Sequence, residues 1–265
     1  MPSDKSAVKR IVEKMAELPL GETRIMEVCG THTMAIAKSG IRSMLPENIC
    51  LLSGPGCPVC VTPAAVIDAV LELSMRQDII IASYGDMLRV PGSRPGDCLQ
   101  RRRALGARVE IVYSPIDAIE LARNDPGREV VFLGVGFETT APGTAAAVLT
   151  ARDAGVKNFS VWSMLKTVEP ALRALMRTED FNIQGFLCPG HVATIIGERG
   201  FEFLPHECGM PAVISGFEPE DILAAIYLLL RQIAEGEPRI ENEYKRAVAP
   251  EGNPLAQKII TECFV

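Results

Sequence analysis

The residues best suited to chemistry sit in two short stretches, Cys29-Gly-Thr-His32 and Cys57-Pro-Val-Cys60. A Cys-x-x-Cys spacing lets two sulfurs meet across one turn. At a helix start the attacking thiolate is stabilised, which is the arrangement of a thiol–disulfide exchange site. Cys29 and His32 have metal-ligand spacing. With Cys57 and Cys60 they match the four-ligand pattern of a structural zinc site. Against zinc, each pair lies at a strand–helix junction rather than on a short ribbon hairpin. Thr31 is expected to cap a helix over residues 33–44, and Thr62 a helix that begins with Pro63. A helix N-terminus carries partial positive charge, so it is expected to favour thiolate over thiol at these cysteines.

Further candidates lie downstream. Gly134-Val-Gly-Phe-Glu-Thr-Thr140 is a poor dinucleotide loop, because Thr139 replaces the third glycine and the next strand ends at Lys166 rather than at an acid. Its backbone N–H groups and the Thr139 and Thr140 hydroxyls can still cradle a small polar ligand, with Glu138 as acid, base or hydrogen-bond partner. Thr31 and Thr33 are the candidate binding hydroxyls beside Cys29. Cys188-Pro-Gly-His191 ends another strand, where a lone histidine is as often structural as functional. In Tyr84-Gly-Asp-Met-Leu-Arg89 the charges of Asp86 and Arg89 can simply pair. His206 reads as solvated. Cys50, Cys98, Cys208 and Cys263 have no partner at useful spacing and read as small hydrophobes.

These residues are positioned by an alternation of strands and helices. Strand-like runs at 24–28, 49–53, 79–83 and 109–112 are rich in Val, Ile and Leu on both faces, as doubly buried strands must be. Each is followed by a helix-like stretch, including one opened by Ser114-Pro115. Such alternation implies parallel sheets with right-handed crossovers, whose ligands bind at the carboxyl ends of the strands. Asn124-Asp-Pro-Gly127 is a turn and a candidate boundary. Beyond it, strands at 130–135, 159–165, 185–187 and 212–215 alternate with helices at 143–154, 169–177 and 219–235. The last helix is apolar enough to pack between two sheets. The expected architecture is two α/β domains with mostly parallel sheets, residues 1–125 and 126–236, and a cleft at the strand ends between them. Residues 237–265 read as the start of a further region, and the apolar run 259–265 stops in mid-pattern, as if something normally follows.

The 265 residues are 48% hydrophobic and 23% charged, with a net charge of −6, which is ordinary for a globular protein and unfavourable for non-specific nucleic-acid binding. The basic run 101–103 reads as a solvated helix face. The longest apolar run, 222–230, is too short to span a bilayer, and 5–18 reads as an amphipathic helix rather than a signal peptide. Neither nucleic acid nor membrane is an expected partner. The expected location is the cytoplasm, where a Cys-x-x-Cys is redox-active or metal-binding rather than a structural staple.

Several motifs then combine. Cys29-Gly-Thr-His-Thr33, Gly54-Pro-Gly-Cys-Pro-Val-Cys60, Gly136-Phe-Glu-Thr-Thr140 and Pro189-Gly-His-Val192 stand in one order, with Arg89-Val-Pro-Gly-Ser93 and Gly216-Phe-Glu-Pro219 between and after them. Over residues 7–263 the chain resembles the HypD family of [NiFe]-hydrogenase maturation proteins. The resemblance implies a scaffold for assembly of the Fe(CN)2CO unit, working with a small HypC-type chaperone and a HypE-type protein that delivers cyanide. It implies that Cys29 holds the iron, sharing it with a cysteine of the chaperone. Cys57 and Cys60 would be a redox-active pair, and His32, Glu138 and His191 would line the cleft. Family members carry a C-terminal region whose four cysteines bind a [4Fe–4S] cluster. Here only Cys263 lies near the end, and one cysteine cannot hold a cubane. Either the chain is a truncated product or fragment, or another protein supplies the electrons. Two rival readings need fewer residues: a stand-alone thiol–disulfide oxidoreductase using Cys57 and Cys60, and a zinc-stabilised binding module using Cys29, His32, Cys57 and Cys60.

Overall fold

The computed structural model describes residues 5–264. In chain order the elements are α1 (Lys5–Ala16), β1 (Thr23–Glu27), α2 (Gly30–Ser39), β2 (Ile49–Ser53), α3 (Ala64–Leu73), β3 (Ile79–Ser83), α4 (Leu99–Ala104), β4 (Val109–Ile111), α5 (Pro115–Asn124) and β5 (Glu129–Gly136). There follow α6 (Ala141–Asp153), β6 (Phe159–Leu165), α7 (Val168–Met176), β7 (Gly185–Pro189), α8 (Gly190–Ile196), α9 (Phe203–Cys208), β8 (Ala212–Ser215), α10 (Pro219–Glu235), β9 (Ile240–Asn242) and α11 (Pro254–Cys263).

The chain folds as two α/β units, each built on an all-parallel sheet. One unit holds the chain up to Cys57 and again from Thr167 to Pro254; the other holds Pro58–Lys166 and the stretch from Leu255. The units are therefore not the contiguous stretches 1–125 and 126–236 that the alternation suggests. Parallel pairing is non-local: β1 pairs with β7, far along the chain, through Ile25 and Gly185. Residues 237–265 are not a region apart either, since β9 completes the first sheet and α11 lies almost wholly in the second unit. Val265, the end of the expected apolar run, lies outside the described residues.

In the first unit the strand order is β2-β1-β7-β8-β9. The chain leaves β1 through α2 toward β2 on one side, and leaves β7 through α8 and α9 toward β8 on the other. The carboxyl ends of β1 and β7 are therefore a topological switch point, the place where open parallel sheets bind ligands. Helix α10, expected from its apolarity to pack between two sheets, seats on the sheet of its own unit. Its Ile222, Ile226, Leu229 and Leu230 are buried in one core with Ile25, Leu51, Leu187 and Val213 of this sheet and with Met15 of α1. At Gly185 an added Cβ would meet Leu229 Cδ1 at 2.8 Å, so the glycine lets the helix seat on the strand.

In the second unit the order is β4-β3-β5-β6, and the switch point lies between β3 and β5. Alternate residues serve two cores. Ile79, Ile81, Val131 and Leu133 pack with Ile67, Val70 and Leu71 of α3, whereas Ile80, Ala82, Val130 and Phe132 pack with Ala118 and Ala122 of α5. Such two-sided burial explains the unbroken apolar runs. Helix α5 starts as its sequence directs, with Pro115 in the first turn and a reciprocal capping box between Ser114 and Asp117.

Candidate functional site

The Cys29 turn is assembled by three backbone-level devices. Helix α2 begins at Gly30, earlier than residues 33–44 suggest, and Cys29 itself is the N-cap, with extended backbone and no side-chain cap bond. Thr31 therefore lies inside the first turn and does not cap. Capping comes from Glu27, a fully buried acid at the end of β1. Its Oε2 accepts the Cys29 N–H at 3.1 Å and its Oε1 accepts the Thr33 hydroxyl at 2.6 Å. The loop after β2 then closes onto this turn: Gly54 N–H donates to the Glu27 carbonyl at 2.7 Å. A Cβ at Gly56 would meet Gly30 N at 2.4 Å and Cys29 C at 2.7 Å, so only glycine fits there.

The same geometry overturns one expectation. Burial pushes the Cys29 thiol above its ordinary range, and the backbone N–H groups of His32 and Thr31 and the Thr31 hydroxyl only partly oppose it. The Glu27 charge pushes in the same direction as burial. The helix end alone therefore does not make Cys29 a thiolate. A bound metal would, because it displaces the proton.

His32 is fully buried on α2. Its Nε2 lies 2.8 Å from the Gly216 carbonyl, which assigns the proton to Nε2 and leaves Nδ1 as an acceptor. Nδ1 is buried with no hydrogen-bond partner among the described residues. Burial lowers the His32 pKa to about 4, so the ring is neutral at pH 7. His191, at the start of α8 after β7, stacks on Phe217 with ring centroids 3.9 Å apart. Phe217 also faces His32 at 4.8 Å and takes the Tyr244 ring edge-on at 5.8 Å. Gly190 and Gly216 make room for Tyr244, whose ring a Cβ at either position would meet at 3.0 Å or less. Thus β1, β7 and β8 bring Cys29, His32 and His191 to the carboxyl ends of one sheet, where Phe217 touches both histidine rings. Glu27, Phe217 and Tyr244 were not singled out from the sequence. Phe217 stands inside the Gly216-Phe-Glu-Pro219 motif, and Glu27 breaks the apolar strand just before Cys29. Nothing local marks Tyr244.

Cys57 and Cys60 lie in a turn, not at a helix start. Helix α3 begins only at Ala64 with Pro63 as its N-cap, and the Thr62 hydroxyl donates to the Pro58 carbonyl at 2.9 Å instead of capping. Cys57 is half-buried and ends the first unit's stretch; Cys60 is exposed and belongs to the second. Glu138 is buried beyond the end of β5, while Thr139 is exposed and Thr140 is half-buried against Gly136. Among the described residues no three His, Cys, Asp or Glu side chains converge as a metal cage. Within the first unit, Cys29, His32 and Cys57 therefore do not form the zinc arrangement.

The fold and site define an α/β protein that presents cysteine thiols at the carboxyl ends of parallel strands. The chain belongs to the hydrogenase formation hypA family, HypD, whose profile matches residues 5–265. It is 46% identical over 247 residues to hydrogenase maturation factor HypD2 of Bradyrhizobium diazoefficiens, covering 91% of this chain and 65% of that protein. It is 45% identical over 249 residues to hydrogenase maturation factor HypD of Escherichia coli, covering 94% of this chain and 65% of that one. It is 41% identical over 257 residues to hydrogenase maturation factor HypD of Rhodobacter capsulatus, covering 97% and 68%. The chain thus spans about two thirds of the length of these relatives. Among the described residues no helix is long and apolar enough to cross a membrane.

Proposed function

We propose that this chain acts in hydrogenase maturation as a scaffold on which the Fe(CN)2CO unit is assembled, with iron as cargo rather than resident cofactor. Cys29 is the protein's ligand to that iron, shared with a cysteine of a small HypC-type chaperone, and a HypE-type protein donates cyanide. Cys57 and Cys60 are the redox-active pair. His32, Glu138 and His191 are the groups that position ligands and protons, and the hydroxyls of Thr31, Thr33, Thr139 and Thr140 hydrogen-bond to the incoming polar ligands. The work is done in the cytoplasm.

The observation that carries this reading is the Cys29 turn. One buried thiol, held by Glu27 and Gly56 at a sheet switch point, sits beside a neutral histidine on the same helix turn. A soft thiolate suits low-spin iron, and a single protein thiolate leaves coordination positions for diatomic ligands and a partner's sulfur. After Cys208 the chain carries only Cys263, so we propose no [4Fe–4S] cluster within these 265 residues. The exposure of Cys60 favours a second reading, a stand-alone thiol–disulfide oxidoreductase, but that reading leaves the construction around Cys29 without a use.

The test is anaerobic purification of the chain with its small chaperone, followed by metal analysis and infrared spectroscopy. Stoichiometric iron with bands from bound CO and CN is expected. Zinc in its place, or a metal-free complex that still exchanges disulfides, would overturn the scaffold reading.

A further inference from the structure

The turn that carries Cys60 borders a cavity of about 460 Å³, within the size range of small-molecule sites. Val59, Ile67 and Val90 line it with apolar surface, and Cys60, Asp86 and Arg89 add polar groups. Asp86 and Arg89 sit on one tight 3-10 turn, Gly85–Arg89, just beyond the end of β3. Their sequence spacing suggests that they neutralise each other. In the structure they do not: Asp86 Oδ1 accepts the Met87 N–H at 2.9 Å, and Arg89 makes no ion pair among the described residues. One cavity thus presents a carboxylate, a guanidinium and an exposed thiol around an apolar wall.

We propose that this cavity binds a small thiol bearing both an ammonium and a carboxylate, as in free cysteine or glutathione, and that this thiol reduces the Cys57–Cys60 disulfide. The inference rests on the reading of Cys57 and Cys60 as a redox pair and names the reductant of that pair. Arg89 takes the ligand's carboxylate as a planar fork, Asp86 takes its ammonium, and the apolar wall takes the stem. The ligand thiolate attacks Cys60 Sγ; the S–S bond breaks, and Cys57 leaves as a thiolate and takes a proton. A second thiol attacks the ligand's sulfur in the mixed disulfide, releasing Cys60 and one small disulfide. Two thiols are oxidised by loss of two electrons and two protons in all, and the protein disulfide gains both.

The experiment uses the full chain oxidised under mild conditions, with the Cys57–Cys60 bond checked by peptide mapping. Its reduction is followed with glutathione and cysteine, with thioglycolate (carboxylate only), with cysteamine (ammonium only) and with mercaptoethanol (neither). Each rate is corrected for the thiolate fraction. Two solvent-facing ion pairs predict a preference of about tenfold for the doubly charged thiols over mercaptoethanol, declining as salt is raised. In Arg89→Gln and in Asp86→Asn the ratio of the two rates should fall toward one, and Arg89→Lys should restore part of it. A ratio insensitive to fold damage is the readout, since damage alters both rates. If the disulfide forms and all five thiols react alike, the cavity assignment is wrong while the redox pair stands. If no Cys57–Cys60 disulfide forms, the redox pair and this inference fail together.

Discussion

Cys29 and Cys60 both lie in turns that follow parallel strands, yet the turns are built differently. Cys29 is 8% exposed, sits on a helix start, and is fixed by a buried carboxylate and a backbone contact that admits only glycine. Cys60 is exposed in a turn that reaches α3 only at Ala64 and borders an open cavity. Burial raises the proton affinity of Cys29, which makes the thiol a weaker nucleophile and harder to oxidise. A thiol that must exchange disulfides needs the reverse, access from solvent to its sulfur. On the proposed roles, iron ligand for Cys29 and disulfide exchange for Cys60, burial separates the two thiols more than helix ends do.

The sharpest way to break this contrast is Cys29→Ser, which replaces a soft ligand by a hard one with little change of volume. Complete loss of iron bearing CO and CN from the chaperone complex is expected, with the complex itself retained. Cys50→Ser, on the exposed face of β2, is the control and should keep the bands. Bands that survive Cys29→Ser would move the ligand assignment to Cys57 and Cys60.

Next in size is pH. His32 has its pKa lowered from an ordinary 6.5 to about 4, so the native state binds fewer protons than the unfolded chain between those values. Stability is full above pH 6.5, falls as pH drops toward 4, and loses nothing further below. The span corresponds to about 3 kcal/mol. Urea unfolding at pH 7 and pH 4.5 should show this loss in the native sequence, beyond whatever His32→Gln shows. Equal pH dependence in both proteins would mean that His32 is already charged or is solvated in the fold.

A comparable loss is expected from Gly56→Ala, because the atoms in the way, Gly30 N and Cys29 C, are backbone and cannot rotate aside. Overpacking of this kind costs about 1–3 kcal/mol. Opening the turn should also speed alkylation of Cys29 while Cys60 keeps its rate. An unchanged urea midpoint with an unchanged Cys29 rate would show that the two turns are not clamped together.

How these turns are built was only partly legible in the sequence. Strands 49–53, 79–83, 159–165 and 212–215 and helix 219–235 were readable to the residue. Strands 79–83 and 212–215 are buried throughout, so pattern and burial agree there, whereas 159–165 is mostly half-buried or exposed and was readable from its β-branched and aromatic run alone. Strand β9, Ile-Glu-Asn, was not readable because three residues with one apolar side chain carry no period. Sheet order and the discontinuous units were not readable because they depend on pairing between distant strands. The helix starts misled for a definite reason: threonine is a good cap in general, but here a carboxylate from the preceding strand already occupies the N-terminus of α2. Cys29 and His32 could be found by type and spacing. The roles of Phe217 and Tyr244 could not, since Phe217 touches two histidines from distant parts of the chain and Tyr244 packs edge-on against Phe217.

The smallest effect tests that carboxylate. In Glu27→Gln one oxygen remains to accept the Cys29 N–H, and the new amide can donate to the Thr33 hydroxyl. That hydroxyl then turns to the Cys29 carbonyl, which already lies 3.3 Å away. Both hydrogen bonds therefore survive in altered form, and what disappears is the negative charge at the start of α2. Loss of a charge–dipole interaction and of charge assistance costs about 1 kcal/mol. The same charge raises the proton affinity of Cys29, so removing it must shift the thiol downward. Glu27→Gln should thus be slightly less stable yet show faster Cys29 alkylation at fixed pH, with Cys60 unaffected. General loosening of the turn would also speed alkylation, so the pH profile separates the two causes. A shifted midpoint of the rate–pH curve reports the charge, and a raised plateau at an unmoved midpoint reports loosening. The second outcome would leave Glu27 as a cap and nothing more.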